Sequence, residues 1–316
     1  MITLITGGAG FIGSNLADGL LSLGKKVICL DNFDDFYDPA IKRRNILSSL
    51  SNSSYYLEEV DICRSKQLEA VFKKYPIDIV IHLAARAGVR PSLFNPGLYY
   101  NINLIGTLNL LEAMRKNNVR KMIFASSSSV YGNNKKIPYS ESDPVDNPIS
   151  PYAASKKASE LLCHTYYHLY GFDIIGLRFF TVYGPRQRPE MAITQFVRKI
   201  IKAEPIQLFG DGSSQRDYTY IDDITQGIQA SIRNLKGFEI INLGESKTIR
   251  LINLIKEIEK LLGKKAIIKW MPNQPGDVDI TYSDISKARR LLGYEPCFPL
   301  QKGLELFINW YIKNNS

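Results

Sequence analysis

Tyr152 and Lys156 stand four residues apart in the run S-P-Y-A-A-S-K at 150–156. Ser150 suits a helix N-cap and Pro151 a first helical position, so a helix is expected to begin here. Residues four apart on a helix share a face, which sets a phenol beside an ammonium. A phenol is a poor base near neutral pH, but adjacent positive charge favours phenolate, which can take a proton from a hydroxyl. Upstream, A-S-S-S-S-V-Y-G at 125–132 places Ser127, Ser128 and Ser129 in one short run. A hydroxyl there could hydrogen-bond a reacting oxygen. Taken alone, the serines make a polar loop, and Y-x-x-x-K arises often by chance.

The N-terminus supplies a second constellation. T-G-G-A-G-F-I-G at 6–13 follows an apolar run and opens an amphipathic one. Gly7, Gly10 and Gly13 would let the backbone approach a pyrophosphate, with Phe11 and Ile12 beside them. A helix N-terminus adds free N–H donors and a positive dipole end. Asp31 lies 18 residues beyond Gly13, near where a carboxylate meets the adenosine ribose hydroxyls. An Asp repels a 2′-phosphate, and Asn32 follows where an NADP enzyme often carries Arg, so NAD is the expected cofactor. Asp61 and Ile62 close a later strand and could hold the adenine amine. Leu83, Ala84 and Ala85 close the next, and their size would let the cofactor lie against the backbone. Asn103 could steady the adjoining backbone, while His82 reads as packed core. Behind such a site, Lys156 can also hold the nicotinamide ribose, and the positive nicotinamide ring adds to the pull towards phenolate.

The elements that would position these groups alternate. Short β-branched runs at 2–6, 26–30, 55–60, 77–83, 121–126 and 173–179 read as strands; 14–23, 65–75, 99–117 and 151–170 read as helices. This implies an α/β fold, a doubly wound parallel sheet of the Rossmann type with a smaller α/β substrate domain. We place the NAD-binding domain at 1–180, with 216–243 (strand, helix, strand) returning to it, and the smaller substrate domain at 181–316. Helices are expected at 248–262 and 300–314.

Composition narrows the classes. At 45% hydrophobic and 22% charged residues the chain is ordinary globular protein. No run approaches the ~18 apolar residues of a membrane span, and the N-terminus carries no leader, so a cytoplasmic protein with no membrane partner is expected. The +9 charge is spread over short clusters such as Lys42-Arg43-Arg44, which suits a basic surface attractive to phosphorylated substrates better than nucleic-acid binding. The four cysteines make no C-x-x-C pair, and His164 and His168 lack a third ligand, so no metal is expected.

Taken in order, T-G-G-A-G-F-I-G, the serine run with V-Y-G, Y-A-A-S-K and R-F-F-T-V-Y-G-P at 178–185 resemble the extended short-chain dehydrogenase/reductases of the NAD-dependent epimerase/dehydratase family. G-D-G-S-S-Q-R-D-Y-T-Y at 210–220 and D-I-S-K-A at 284–288 continue the resemblance over nearly the whole chain. It implies a homodimer, a UDP-sugar substrate and catalytic positions for Ser127, Tyr152 and Lys156. Arg216 matches the family's diphosphate-binding arginine, whose fork suits phosphate. Arg188 is a second phosphate candidate, for which a surface role is the competing reading. Asp277 matches a nucleotide-ribose contact.

The fold does not choose among the family's reactions. Dehydratases and decarboxylases place an acid two positions after the catalytic Ser or Thr; here that position is Ser129, which favours 4-epimerisation. D-N-F-D-D-F-Y-D-P at 31–39 and T-V-Y-G-P-R-Q-R-P-E-M-A at 181–192 resemble UDP-glucuronate 4-epimerases. In these the hydroxyls at Ser127, Ser128, Ser129 and Thr181 are implicated in holding the substrate carboxylate. Galactose epimerases carry an arginine in place of Gln274. UDP-glucose or UDP-N-acetylglucosamine 4-epimerases share nearly every motif and remain the alternative. Non-enzymatic NAD sensors and RNA-binding scaffolds of this fold tend to lose the Tyr or Lys, and both are present here.

Overall fold

The computed structural model describes residues 1–272 and 278–315. Among the described residues twelve strands build three sheets. The first six are β1 (Ile2–Thr6), β2 (Lys26–Asp31), β3 (Tyr55–Glu59), β4 (Ile79–His82), β5 (Lys121–Ser127) and β6 (Asp173–Phe179). The others are β7 (Thr181–Tyr183), β8 (Pro205–Phe209), β9 (Gln215–Tyr220), β10 (Phe238–Leu243), β11 (Thr248–Arg250) and β12 (Ile267–Met271). The main sheet runs β10-β6-β5-β4-β1-β2-β3 and is parallel throughout.

Both faces of this sheet are covered, as its unbroken apolar strands require. Ile5, Val27 and Cys29 point into one core and Leu4, Ile28 and Leu30 into the other, so alternate residues of each strand serve opposite layers. From β3 the chain crosses β2 and β1 to lay down β4. The strand order therefore reverses between β1 and β4, where open sheets leave a crevice at their carboxyl edge.

The segment expected to return to the sheet divides. Strand β9 pairs with β7 and β11 in a small sheet, the helix Ile221–Arg233 packs on the main sheet beside the helix Phe11–Ser22, and β10 pairs in register with β6. Beyond the first helix, which spans Phe11–Ser22, two expected helices differ. The one expected at 99–117 is broken into Pro96–Tyr100, a wider π turn at Asn101–Ile105 and Gly106–Lys116. Gly106 lies hard against Ile62, and the wide turn aims Asn103 inward. The helix expected at 248–262 starts only at Leu251, because β-branched Thr248 and Ile249 extend to pair with β9. Among the described residues no helix is long and apolar enough to cross a membrane.

Candidate active site

The glycine turn is shaped by contacts a side chain would destroy. A Cβ on Gly7 would stand 2.8 Å from the Ala84 amide nitrogen, and one on Gly13 would stand 2.3 Å from the Gly7 carbonyl oxygen. Strand end β4, the turn and the helix Phe11–Ser22 are thus in backbone contact. Gly10 caps that helix without a side-chain bond, so the first-turn amides stay available to an anion. Asp31, at the end of β2, accepts from the amides of Ala9 (3.1 Å) and Phe33 (2.9 Å). Burial raises its pKa, while Lys42, 3.7 Å away, and those amides oppose the rise. A glycine cradle, free amides and a buried carboxylate at the next strand end fit a dinucleotide.

The helix Pro151–Tyr170 begins as its sequence implies: the Ser150 hydroxyl accepts from the Ala153 amide at 3.1 Å. Lys156 is buried and donates to the Ala125 carbonyl at 2.7 Å; burial pushes it down to about 8. Burial also raises the Tyr152 phenol, and the groups that oppose the rise are the Ser127 hydroxyl and the Arg188 guanidinium. The sequence assigned that help to Lys156, whose ammonium is instead turned to the strand carbonyl. Ser127 also accepts from the amide (3.2 Å) and hydroxyl (2.9 Å) of Ser129, which fixes its oxygen at the end of β5. His82 is core: its ring nitrogens lie 2.7 Å from the Thr6 hydroxyl and 2.9 Å from that of Thr107, and burial holds it down to about 3. It is neutral.

One cavity of about 530 Å³ joins these groups, within the usual size range of small-molecule sites. The cofactor and substrate positions named from the sequence line it, with two exceptions. Asn103 sits behind the wall: its amide bonds both backbone groups of Arg86 and the Ser155 hydroxyl. It supports the lining without facing it. Asp277 lies outside the described residues, as does Gln274. Thr181 reaches the cavity from β7 and Arg216 from β9, with Arg216 donating to the carbonyls of Gln215 (2.8 Å) and Asp279 (3.3 Å). Arg188 pairs with Glu190 at 3.1 Å.

Sequence reasoning missed part of the wall. Phe36, Tyr37 and Arg86 line the cavity, and so does Lys42, which the sequence placed on a basic surface. It is buried instead, because Asp31 and the Asp34 carbonyl draw its ammonium inward. The run 31–39 pointed to this loop only through family resemblance; nothing local marked Arg86.

Comparison with known proteins agrees with this geometry. Residues 3–244 match the NAD dependent epimerase/dehydratase family. A UDP-glucuronate 4-epimerase of Thermodesulfobacterium geofontis is 48% identical over 98% of this chain and 96% of its own length. UDP-glucuronate 4-epimerase 3 of Arabidopsis thaliana is 42% identical over 98% of this chain and 76% of its own. The crystal structure of UDP-glucuronic acid 4-epimerase from Bacillus cereus, in complex with UDP-glucuronic acid and NAD, superposes with a TM-score of 0.92. It is 37% identical, covering 99% of this chain and 100% of that one. With glycine cradle, buried Asp31 carboxylate and Ser–Tyr–Lys group in one cleft, this chain belongs to the NAD dependent epimerase/dehydratase family.

Proposed function

We propose that this chain is an NAD-dependent 4-epimerase that interconverts UDP-glucuronate and UDP-galacturonate through a 4-keto sugar. The observation that carries the reading is the hydroxyl set Ser127, Ser128, Ser129 and Thr181 on the wall that also holds Tyr152, together with the UDP-glucuronate 4-epimerases among its relatives. Residues 1–180, rejoined by β10, form the NAD half, and residues 181–316 supply the nucleotide-sugar half.

Bound NAD supplies the hydride acceptor, and in reduced form the donor. Tyr152 takes the proton of the sugar 4-hydroxyl and later returns it to that oxygen when carbon 4 is reduced from its other face. Ser127 donates to the same oxygen, holding carbon 4 in line. Lys156, anchored on the Ala125 carbonyl, holds the nicotinamide ribose, and the Arg188 guanidinium supplies the positive charge that favours the phenolate. Arg216 and Arg188 take the diphosphate. The serine and threonine hydroxyls hold the carboxylate while carbon 4 is a ketone, when a loosely held β-keto acid would lose carbon dioxide. Neutral donors suit this task, each bond to a charged group contributing about 1.5–3 kcal/mol. Ser129, in place of an acid, leaves no group there to protonate a leaving hydroxyl.

Product analysis by NMR on UDP-glucuronate, UDP-glucose and UDP-N-acetylglucosamine tests the proposal. UDP-galacturonate without net decarboxylation is expected. Epimerisation of a neutral sugar with the uronate untouched rejects it. Tyr152→Phe removes one hydroxyl and should lower turnover by roughly 10²-fold or more while NAD stays bound; wild-type turnover would remove Tyr152 from its role. We also propose a homodimer, with a second copy covering the exposed Tyr100, Ile105 and Leu161; light scattering reads its mass.

A further inference from the structure

The loop that leaves β2 does not run off into solvent. It turns at once, with Phe33 at φ 49° and buried, a left-handed conformation that a bulky residue keeps only when its surroundings enforce it. The enforcing bonds are local: Asp31 accepts from the Phe33 amide and Asn32 from the Asp34 amide at 3.1 Å. Beyond the turn the Asp34 carboxylate does two things. It accepts from the Phe36 amide at 2.9 Å and forms an ion pair with Arg86, which comes from the end of β4. Buried Lys42 holds the Asp34 carbonyl at 2.9 Å from the other side.

Arg86 is itself fixed, its backbone gripped on both groups by Asn103. Its guanidinium lies over the Phe36 ring, 4.3 Å from the centroid, while that of Arg188 lies 5.6 Å away. Both distances are within cation–π reach. The loop therefore has one foot at the adenosine end of the cavity, one at the end of β4, and a ring shared with the segment that carries Arg188. Asp34, Phe36 and Arg86 all line the cavity that Asp31, Asp61 and Ala84 share.

We propose that Asp34, Phe36 and Arg86 form a strap that retains the dinucleotide, so that cofactor leaves only when the Asp34–Arg86 pair parts. The chemistry gives the strap a purpose. An enzyme that oxidises and then reduces the same sugar needs no exchange of cofactor, and losing the reduced form in mid-cycle would strand a ketone. This inference rests on the reading of the glycine cleft as the NAD site.

The test follows release of NAD from the loaded enzyme. The protein is saturated with NAD, diluted into buffer containing an NAD-consuming enzyme, and sampled for remaining bound NAD and for activity. Asp34→Ala and Phe36→Ala should each release NAD about 10-fold faster than wild type or more, and added NAD should restore turnover. Glu59→Ala is the control. It breaks the exposed Arg43–Glu59 pair beside the same loop but touches neither Arg86 nor Phe36, and should release NAD at the wild-type rate. Circular dichroism verifies that each variant is folded. Wild-type release rates in both strap variants, or acceleration in Glu59→Ala as large as theirs, overturns the strap alone. A wild type that binds no NAD at any concentration removes the site reading and the strap with it.

Discussion

The two ends of the cleft are built by different means. At the end proposed for NAD, backbone meets backbone: the glycine turn rests on the end of β4, and the geometry is set by the absence of side chains at Gly7 and Gly13. At the end proposed for the sugar, Thr181 and Arg216 stand on the short strands β7 and β9, which the main sheet does not hold. That end is held by a carboxylate. Asp217, next to Arg216 and fully buried, accepts from the amides of Glu245 (2.8 Å), Ser246 (3.1 Å) and Ser283 (3.1 Å) and from the Ser283 hydroxyl. One acceptor thus ties β9 to the chain after β10 and to the stretch at 281–284. A cofactor common to a whole family can be met by fixed backbone; a variable sugar is met by side chains on small elements whose placement depends on a hub.

The two ends can therefore be broken separately. Asp217→Ala leaves several buried donors without an acceptor, and breaking such a network should lower stability by about 3–5 kcal/mol. Thermal unfolding reads that loss; calorimetry should show weakened UDP binding with NAD affinity nearly intact. Equal losses for both ligands would mean that the ends are not independent. Gly13→Ala is the converse. A Cβ 2.3 Å from the Gly7 oxygen forces the turn open, and strain of about 3 kcal/mol corresponds to roughly 10²-fold weaker NAD binding, with UDP binding retained. NAD binding at wild-type strength would show that the turn does not set the cofactor site.

The smallest expected effect concerns Glu245, beside the hub. One of its oxygens is buried without a partner, and burial pushes the carboxyl up to about 7 from an ordinary 4.5. Between those values the folded chain keeps a proton that the unfolded chain has released, so this group's stabilising contribution falls as pH rises. Glu245→Gln should therefore be more stable than wild type by about 1–3 kcal/mol at about pH 8, and should lose that advantage towards about pH 4.5. An equal difference at both pH values would place the cause elsewhere. Unfolding midpoints at the two pH values decide it.

The same contrast explains what the sequence disclosed. The first six strands and the helix Pro151–Tyr170 were legible because apolar runs, Ser150 and Pro151 punctuate them locally. The cofactor end was legible because glycine spacing encodes backbone contact directly. Helix starts were less so: the first helix begins at Phe11, ahead of the expected 14, because the glycine turn feeds straight into it. Asp217 could not be read as a hub, since its partners lie far along the chain and are unremarkable serines and amides. Nor could Arg86 be placed in the wall, because its position depends on Asn103 and a π turn that no residue pattern announced.

The central claim is that one cleft removes hydride from a sugar carbon and returns it to that carbon's other face without letting it go. UDP-glucuronate carrying deuterium at carbon 4 tests this most directly. Incubated with the wild-type protein in ordinary water and followed by proton NMR, the UDP-galacturonate formed should keep its deuterium at carbon 4. Product carrying solvent hydrogen at that carbon would contradict the account, because the configuration would then have been inverted through proton exchange and not through a returned hydride.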